Sequence, residues 1–339
     1  MEPNKPKLAI VGTGMSGLAC ADCLGQHFEI SLFDKSRGLG GRLSTRRGEA
    51  HTFDHGAQYF RASTESFANW LEPFEGGGHL QTWTPRHVYF RGNGSRRARP
   101  DNSSKLVFVS GMNAIGKVLL ANRPNWKLYL DCKVDLVTGN AGKIFLHCGA
   151  ERFGPFAHVA LAMPPIQVQA LVAPNIAFAD ALNSAQMIGC HSLMLGFGNQ
   201  EAPDMDWDCA HFEDEILGFS AVNSTKPGRG GGLALVVQTK HQWSDAHIED
   251  DLDTVSSIIK QRFERITGIK TDASGYNQVH RWRYASTKNA AASEVNPYLL
   301  DESMGVSATG DWCRGSKVED AFLSGSALAA QLISQLARG

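Results

Sequence analysis

Apolar residues near the two ends of the chain follow the spacings of strands and helices in alternation. Near the amino end, Lys7–Val11 and Glu29–Phe33 are short apolar runs that predict buried strands, and Leu18–Leu24 between them has helical spacing. Near the carboxyl end, a short strand is predicted at Val306–Asp311. A long amphipathic helix is predicted at Val318–Ala337, with apolar residues at i, i+3, i+4 and i+7. Together the two ends predict an α/β unit.

The middle of the chain has a different pattern, in which strands dominate. Strands are predicted at Ser192–Phe197, Ile216–Val222 and Leu233–Thr239, and an amphipathic helix is predicted at Asp250–Ile266. We therefore expect a second, α+β unit that is built on an antiparallel sheet.

Glycines at a fixed spacing follow the first predicted strand. Gly12, Gly14 and Gly17 form a G-x-G-x-x-G pattern between a strand and a helix, and the second strand is followed by Asp34. In this context Gly12 permits the tight turn, Gly14 lets the backbone approach a pyrophosphate, and Gly17 lets helix and strand pack closely. The free N–H groups at the helix start favour an anion, and the acid can bond a ribose hydroxyl. The pattern predicts dinucleotide binding rather than an ordinary glycine-rich turn.

Composition narrows the range of partners. The 339 residues carry 33 Lys and Arg against 34 Asp and Glu, a net charge of −1, which removes the electrostatic case for nucleic acid or an anionic membrane. The apolar segment at 159–182 is interrupted by prolines, so we expect no membrane span. Because no apolar signal-peptide core follows Met1, we expect a cytoplasmic protein.

Cysteine and histidine usage gives little sign of redox or metal chemistry. Seven cysteines, an odd number, argue against a disulfide framework. Cys20 and Cys23 match C-x-x-C, but they lie within the first predicted helix among Ala and Leu, which favours buried packing over redox chemistry. The twelve histidines show no metal-site spacing with Cys or Glu, so we expect no metal.

The residues after the first acid resemble a known family. Gly40–Arg42 adds backbone N–H groups and a fixed cation near the same phosphates. The run FDKSRGLGGRLSTRR from Phe33, followed by DHGAQYF from Asp54, resembles the FAD-binding amino terminus of the flavin-containing amine oxidase superfamily, most closely its bacterial renalase-like branch. One departure is Asp34, where Glu is commoner in the superfamily. The resemblance implies a Rossmann-like FAD-binding domain of the glutathione-reductase/amine-oxidase type.

The same resemblance implies which residues hold the flavin. Asp311 would bind its ribityl or phosphate region, the start of the last helix would face the flavin ring, and Val134, in a strand at 133–137, would contact the adenine. Cys313 does not match the position of a cysteinyl-flavin bond, which implies non-covalent FAD. The implied cofactor-binding residues are Gly12, Gly14, Met15, Ser16, Gly17, Asp34, Lys35, Gly41, Arg42, His55, Gly56, Ala57, Gln58, Val134, Gly310, Asp311, Lys317, Val318 and Glu319.

The resemblance also implies a discontinuous FAD-binding domain at 1–60, 105–165 and 275–339. By elimination, the substrate domain would comprise 61–104 and 166–274. The chain has no second strand-GxGxxG-helix unit of the kind that binds NAD(P)H in two-nucleotide flavoenzymes. Electrons are therefore expected to come from the substrate itself, with O2 as the acceptor.

The motif H-x-W-R-Y at 280–284 resembles the superfamily strand that runs into the flavin site. At strand spacing its three rings share one face and its two arginines share the other. The aromatic face can wall a flat substrate pocket, or it can pack in the core with the arginines in solvent. The candidate pocket residues are Gln58, Tyr59, His280, Trp282 and Tyr284.

A cluster of arginines leaves two interpretations open. It can be a solvated loop, which is the usual outcome, or an anion-attracting rim for a phosphate-bearing substrate. The cluster, Arg86–Arg99, consists of Arg86, Arg91, Arg96, Arg97 and Arg99.

The leading function that the resemblance implies is oxidation of a small molecule, a dihydronicotinamide isomer of NAD(P), to NAD(P)+. Hydride would pass to flavin N5 and O2 would be reduced to H2O2. No general base is needed, because oxidation of a dihydropyridine releases no substrate proton in that step. Two alternatives remain open: an oxidase acting on a small amine, and a flavin-binding redox module without turnover. A desaturase of apolar substrates would need an apolar membrane-binding patch, which we do not find in the sequence.

Overall fold

The computed structural model describes residues 5–99, 101, 103–288 and 296–338. Its strands are β1 (Lys7–Val11), β2 (Glu29–Phe33), β3 (Thr45–Arg47), β4 (Thr52–Asp54), β5 (Leu80–Trp83), β6 (His87–Arg91), β7 (Arg96–Ala98), β8 (Lys105–Phe108), β9 (Lys127–Tyr129), β10 (Leu136–Asn140), β11 (Lys143–Cys148), β12 (Glu151–Phe156), β13 (His158–Leu161), β14 (Met187–Phe197), β15 (Cys209–Glu213), β16 (Leu217–Val222), β17 (Leu233–Thr239), β18 (Tyr276–Thr287), β19 (Leu299–Asp301) and β20 (Val306–Ala308). Its helices are α1 (Met15–Leu24), α2 (Glu65–Gly76), α3 (Ala114–Asn122), α4 (Pro165–Gln169), α5 (Ala179–Ser184), α6 (His241–Ala246), α7 (Leu252–Thr267) and α8 (Val318–Leu336).

The first sheet has six strands in the order β19-β20-β13-β1-β2-β9. All neighbouring strands are parallel except β19, which runs antiparallel at one edge. β1 and β2 have the predicted bounds, whereas α1 between them begins at Met15 rather than Leu18, because the glycine turn leads directly into the helix. A β1-α1-β2 unit with its glycine turn at the carboxyl end of β1 is the centre of a Rossmann-like fold. This arrangement confirms the predicted fold class.

The second sheet has seven strands in the order β18-β14-β17-β16-β15-β6-β7. Its neighbours are antiparallel apart from β15 and β6. β17 has the predicted bounds, and β14 begins at Met187, earlier than the predicted Ser192. Helix α7 covers one face of this sheet by burying Val255, Ile259 and Phe263. A mainly antiparallel sheet with a packed helix is the predicted α+β arrangement.

Two segments pack with a different part of the molecule from the one that the predicted domain boundaries assign them to. β18, predicted within the FAD-binding segment 275–339, is hydrogen-bonded to β14 at the edge of the seven-stranded sheet. Helices α4 and α5, within 166–274, bury Leu171 and Leu182 in the same cluster as Val159 and Leu161 of the six-stranded sheet. After α5 the chain therefore runs through the seven-stranded sheet as far as β18, and it returns to the six-stranded sheet at β19.

A third sheet, β10-β11-β12, is antiparallel and has three strands. The strand predicted at 133–137 is wrong in its first half, because residues 132–135 have no regular structure and β10 begins at Leu136. The backbone N–H of Asp135 donates to the carbonyl of His147 at 3.0 Å, but that of Cys132 donates to the carbonyl of Asp34 at 3.0 Å. This second bond turns the segment towards the carboxyl end of β2.

The two ends of the chain pack together through α1 and α8. A Cβ added at Gly325 of α8 would collide with the carbonyl oxygen of Ser16 in α1 and lie 3.2 Å from the backbone nitrogen of Cys20. On the same helix, Phe322 stacks on Phe67 of α2, with ring centroids 4.7 Å apart. The terminal helix is therefore part of the core that supports the glycine turn.

The cysteines of the described residues are all free thiols. Burial raises the pKa of Cys20 strongly and that of Cys23 to about 11, which keeps both as packing residues of α1. No helix in the described ranges is long and apolar enough to cross a membrane. No group of three or more potential metal ligands occurs there either. Residues 1–4, on which the expectation about a signal peptide depends, lie outside the described residues.

Replacement of Gly325 tests the packing of α1 on α8. At a solvent-facing helical position Gly→Ala stabilises a helix by about 1 kcal/mol, but here the new methyl group meets fixed backbone. We expect Gly325→Ala to lower the free energy of unfolding by about 1–3 kcal/mol, measured by urea denaturation. The control is Ser326→Ala on the same helix, where the side chain is only half-buried and a change within about 0.5 kcal/mol is expected. Equal effects of the two substitutions would contradict the close packing.

Candidate dinucleotide-binding site

A cavity of about 1340 Å³ lies between the carboxyl edge of the six-stranded sheet and the seven-stranded sheet. One end is lined by the glycine turn after β1, the acid after β2 and the segment 132–135, and the other end is lined by β18 and the end of β17. The carboxyl edge of parallel strands is where ligands bind in open α/β sheets. Small-molecule sites commonly have roughly 300–1,000 Å³. The cavity is therefore larger than most small-molecule sites.

Most of the residues singled out in the sequence line this cavity. The exceptions, Gly17, Gln58, Tyr59 and Glu319, are described below. Those on the lining are Gly12, Gly14, Met15, Ser16, Asp34, Lys35, Gly41, Arg42, His55, Gly56, Ala57, Val134, Gly310, Asp311, Lys317, Val318, His280, Trp282 and Tyr284.

The three glycines of the first turn occupy three different environments. Gly12 has a φ of +104° and would collide with the carbonyl of Ala162 if it carried a Cβ. A Cβ on Gly14 would meet nothing within 4 Å, so the backbone there is open to the cavity. Gly17 lies off the cavity, and its Cα packs against the carbonyl of Gly12. These three environments are the tight turn, the backbone open to a ligand and the close helix–strand contact that a pyrophosphate site requires.

Asp34 lies at the end of β2 with its carboxylate held by the glycine turn. One carboxylate oxygen accepts from the backbone N–H of Thr13 at 2.9 Å and from its hydroxyl at 2.5 Å. The other oxygen accepts from the N–H of Ser36 at 2.8 Å. The side chain is buried, with 8% of its surface exposed, and it lines the cavity. These bonds fix the carboxylate at the site where a ribose hydroxyl is expected.

An ion pair joins the two ends of the chain at the cavity. Arg42 follows the second glycine pair, and Asp311 follows β20. The guanidinium donates to both carboxylate oxygens, one of them at 2.8 Å, and it also donates to the carbonyl of Ala285 at 3.2 Å. Such a forked pair fixes geometry as well as charge. Asp311 is thus engaged by Arg42, and both lie on the same cavity as Asp34.

The start of α8 lines the cavity through Lys317 and Val318. Asp320 closes the helix start by accepting from the backbone N–H of Lys317 at 2.9 Å. Glu319, predicted to bind the cofactor, does not line the cavity. Its carboxylate is buried and accepts from the backbone N–H groups of Ser63 and Thr64, which satisfies the start of α2. This corrects the sequence prediction for Glu319, and it places the residue in a structural role.

A cluster of rings forms one wall of the cavity. The indole of Trp282 stacks on His55 at 5.3 Å and donates from its N–H to the carbonyl of His55 at 2.8 Å. His280 meets Trp282 edge-on at 4.3 Å. Burial lowers the pKa of His55 to about 3 and that of His280 to about 4, with the charge of Arg46 acting in the same direction. Both rings are therefore neutral at pH 7, and Nδ1 of His55 has no hydrogen-bond partner among the described residues.

The predicted alternation of faces in β18 holds around Trp282. His280 and Trp282 both contact His55, whereas Arg281 and Arg283 both contact Glu249 on the other face. After Trp282 a bulge interrupts the period of two, because Trp282 is opposite Cys190 and Ser286 is opposite Ile188, so that three residues of β18 face one residue of β14. Every residue from 280 to 286 belongs to the cavity lining.

Gln58 and Tyr59, both predicted to face the substrate, lie outside the cavity lining. The amide of Gln58 is buried, donates to the carbonyl of Gly56 at 3.2 Å and accepts from Lys226 at 3.0 Å. Tyr59 packs between the rings of Trp83 and Phe219, each 6.2 Å away. Gln58 therefore supports the Gly56 turn from behind, and Tyr59 belongs to the core.

A buried charge network that sequence analysis did not predict supports the same turn. Asp54 accepts from Lys226 at 3.2 Å and from Arg229 at 2.7 Å, and the three side chains are at most 1% exposed. Burial acts to raise the pKa of Asp54, but the charges of Lys226 and Arg229 outweigh it and lower the pKa to about 2. Burial lowers the pKa of Lys226 to about 8, against the effect of Asp54. The network ties β4 to the loop before β17.

Sequence reasoning also missed the part of the seven-stranded sheet that faces the cavity. Phe219 of β16 and Cys190 of β14 contribute to this lining, and so does the segment Gln238–His241 at the end of β17. Gln238 donates to the carbonyl of Gly56 at 2.8 Å. A polar run directly after the predicted strand Leu233–Thr239 is a signal that could have located this segment.

The arginine cluster Arg86–Arg99 lies on the β6–β7 hairpin at the far edge of the seven-stranded sheet. Arg86 pairs with Asp208 at 2.9 Å, Arg96 pairs with Asp206, and Arg97 lies over the ring of Tyr89. None of the five arginines lines the cavity. Of the two interpretations, the structure favours the solvated one.

Because both histidines are neutral in the folded protein, we expect the free energy of unfolding to decrease in acid. The unfolded chain takes up protons near pH 6.5, whereas folded His55 and His280 do so only near pH 3 and 4. The unfolding free energy therefore falls as the pH drops from about 6.5 to 4, by about 2 kcal/mol per such histidine at pH 5. Urea denaturation at pH 7 and pH 5 should show a smaller loss for His280→Gln than for the unmodified chain. Exposed His27→Gln is the control, and equal losses in both variants would refute the assignment.

Comparison with known proteins identifies the fold. A family model described as an NAD(P)-binding Rossmann-like domain matches residues 10–74. A protein from an Exiguobacterium species, assigned as a protoporphyrinogen oxidase, superposes with a TM-score of 0.78 at 14% identity, over 96% of this chain and 98% of its own. Cyclohexylamine oxidase from Brevibacterium oxydans gives 0.71 at 12% identity, over 98% and 99%. Putrescine oxidase with putrescine bound gives 0.69 at 13% identity, over 97% and 99%. The chain therefore shares the fold of these three proteins, with a Rossmann-like domain at its amino end.

Proposed function

We propose that the chain binds FAD non-covalently along the cavity. The open backbone at Gly14 and the N-terminus of α1 offer a cradle for a pyrophosphate, and Asp34 is fixed where a ribose is expected. Val134 would contact the adenine, and Arg42 with the start of α8 would hold the ribityl and flavin end. The unpartnered Nδ1 of His55 is a buried polar atom on the lining that a ligand would satisfy.

The thiol chemistry supports non-covalent binding. Cys313 does not line the cavity, and burial raises the pKa of its thiol to about 12. A protonated thiol is a poor nucleophile, so it would not attack the flavin ring. Denaturation should therefore release all of the flavin, measured by its absorbance after filtration. Flavin retained on the polypeptide would overturn this part of the proposal.

We further propose that the protein is an oxidase of dihydronicotinamide isomers of NAD(P), as in the renalase-like branch. Bound FAD supplies a hydride acceptor at N5, and O2 takes up the electrons to give H2O2. The residues of the chain would hold the dihydropyridine ring flat against the wall of His55, His280 and Trp282 and keep water away from it. Both histidines are neutral, and no proton needs to leave the substrate.

The observation that carries this proposal is the charge of the substrate half of the cavity. Among the described residues that line it from the seven-stranded sheet, there are rings, amides and cations but no carboxylate. The three acids on the lining, Asp34, Asp135 and Asp311, are all at the cofactor half, and each has a hydrogen-bond or charge partner. A cavity of this kind favours a flat anion over an ammonium ion.

An oxidase of small amines is the second candidate. The rings of Trp282 and Tyr284 could enclose an amine, and two of the proteins with this fold act on amines by name. Against it stand Arg281 and Arg283 on the same lining, because an ammonium ion is repelled by nearby cations. A flavin-binding module without turnover remains a third outcome of the experiment that follows.

Anaerobic mixing distinguishes the three candidates. The yellow protein is mixed with 2- and 6-dihydronicotinamide dinucleotides, with ordinary NADH and with a panel of amines, and the flavin absorbance is followed. We expect rapid bleaching with the dihydronicotinamide isomers only, and return of the colour with formation of H2O2 when air is admitted. Bleaching by amines alone would establish the second candidate, and no bleaching by any compound would favour the third.

Replacement of Gly14 tests FAD binding separately from the stability of the fold. An Ala side chain there enters open space, so the unfolding free energy of the apoprotein should change by less than about 1 kcal/mol. The same methyl group blocks the approach of a pyrophosphate, and we expect FAD to dissociate at least about 10-fold more readily. Gly12→Ala is the matched contrast, because its Cβ collides with backbone and should impair folding and FAD binding together. Normal FAD affinity in Gly14→Ala would contradict the proposed cradle.

A further inference from the structure

The turn at residues 55–57 lines the cavity, and two of its carbonyls are held by side chains of the seven-stranded sheet. The indole N–H of Trp282, in β18, donates to the carbonyl of His55 at 2.8 Å. The amide of Gln238, in β17, donates to the next carbonyl, that of Gly56, also at 2.8 Å. Both side chains line the cavity themselves. The sheet that forms the substrate half thus orients the backbone of a turn that belongs to the cofactor half.

These bonds set the direction of the N–H groups as well. In a trans peptide the N–H and the C=O point in opposite directions. The N–H of Ala57 donates to the carbonyl of Arg42 at 2.9 Å, whereas that of Gly56 has no partner among the described residues. Because the carbonyl of His55 points to Trp282, the N–H of Gly56 points away from that ring. Gly56 has no side chain, so its backbone is what lines the cavity.

The backbone at Gly56 has little space in which to shift. A Cβ added there would collide with the carbonyl oxygen of Arg42 and lie 3.4 Å from the indole ring of Trp282. Behind the turn, the amide of Gln58 also donates to the carbonyl of Gly56, at the longer distance of 3.2 Å. The position of the turn is therefore set by packing, and the direction of its carbonyls is set by the side chains that donate to them.

The turn lies beside the end of the cavity that is proposed to hold the flavin ring. It is bonded to Arg42, which together with the start of α8 is expected to hold the ribityl and flavin end. A flavin that has accepted a hydride carries negative charge on its ring. An N–H group that is fixed before this charge develops stabilises it without reorganisation, and a carbonyl pointing at the same place would oppose it.

We propose that Trp282 and Gln238 are positioning residues for the flavin. They keep the carbonyls of His55 and Gly56 turned away from the ring, and they leave the N–H of Gly56 facing it. The inference rests on the FAD-binding part of the proposed function and is independent of which substrate delivers the hydride. It gives the indole of Trp282 a second role, since the nitrogen acts through the backbone while the ring forms part of the cavity wall.

The test removes each donor and measures the reduction potential of the bound flavin. Trp282→Phe keeps an aromatic ring in the wall without the N–H, and Gln238→Met keeps the length and neutrality of the side chain without the amide. A released carbonyl can turn towards the flavin and disfavour its reduced form. We expect about a 10-fold effect in Trp282→Phe and about a 3-fold effect in Gln238→Met, where Gln58 still holds the carbonyl. These factors correspond to potentials lower by about 30 and 15 mV.

The potential is measured on FAD-loaded protein by equilibration with a reference dye, so no substrate is needed. The Kd of FAD should change by less than about 3-fold in both variants, because the phosphate cradle is untouched. Trp70→Phe is the matched control. It removes an indole N–H that donates to Asp22 at 2.9 Å, away from the cavity lining, and it should leave the potential unchanged. If one of the two test variants does not fold, the potential of the other decides.

The outcomes separate this inference from the proposed function. Lower potentials with normal FAD affinity, and an unchanged control, support the positioning role. Unchanged potentials overturn it even if the dihydronicotinamides reduce the flavin as proposed, and so does an equal shift in Trp70→Phe. Weaker FAD binding without a change in potential is a merely structural effect and also overturns it. If no dihydronicotinamide reduces the flavin, the proposed substrate is wrong, but the potentials still decide the positioning role. A protein that takes up no FAD overturns both.

Discussion

The cavity depends on one buried carboxylate, that of Asp54. Removing an acid and two bases from water is costly unless each finds partners, and Asp54 satisfies Lys226 and Arg229 while accepting from Thr45 and from the backbone of Met112. These contacts fix the segment that leads into the ring wall against the loop of the seven-stranded sheet. The two-stranded sheet β3-β4 and the Gly56 turn after it are therefore held in place against the seven-stranded sheet. A charge network with so many partners has few alternative arrangements, which suits a site that must keep its shape.

The features of the site that were predicted correctly from the sequence depend on interactions between residues that are close together in the chain. Gly12, Gly14 and Gly17 each have the local geometry that their spacing predicts, because a strand, a turn and a helix within a few residues leave little freedom. The bounds of β1, β2 and β17 were predicted for the same reason, since short apolar runs that end in polar residues need no distant partner to be recognised. The family resemblance then located Arg42 and Asp311 on a common cavity.

The errors concern residues whose role is set by distant partners. Glu319 lies next to the cavity in sequence, yet its carboxylate is taken by N–H groups at the start of α2. The alternation in β18 is interrupted after Trp282 because β14 supplies one residue opposite three, a property of the pairing that neither strand shows alone. Cations for a phosphate group were sought in the sequence cluster Arg86–Arg99, whereas the cations that line the cavity come from separate elements. Residues that the fold brings together from separate elements have no signature in one stretch of sequence.

The ion pair between Arg42 and Asp311 spans 269 positions of the chain. During synthesis the glycine turn leaves the ribosome early, but the wall that faces it is among the last segments to appear. The cavity is therefore incomplete for most of translation. A chain that ended before the last helix would keep the glycine turn and yet lack Lys317, Val318 and Ala321 of the cavity lining.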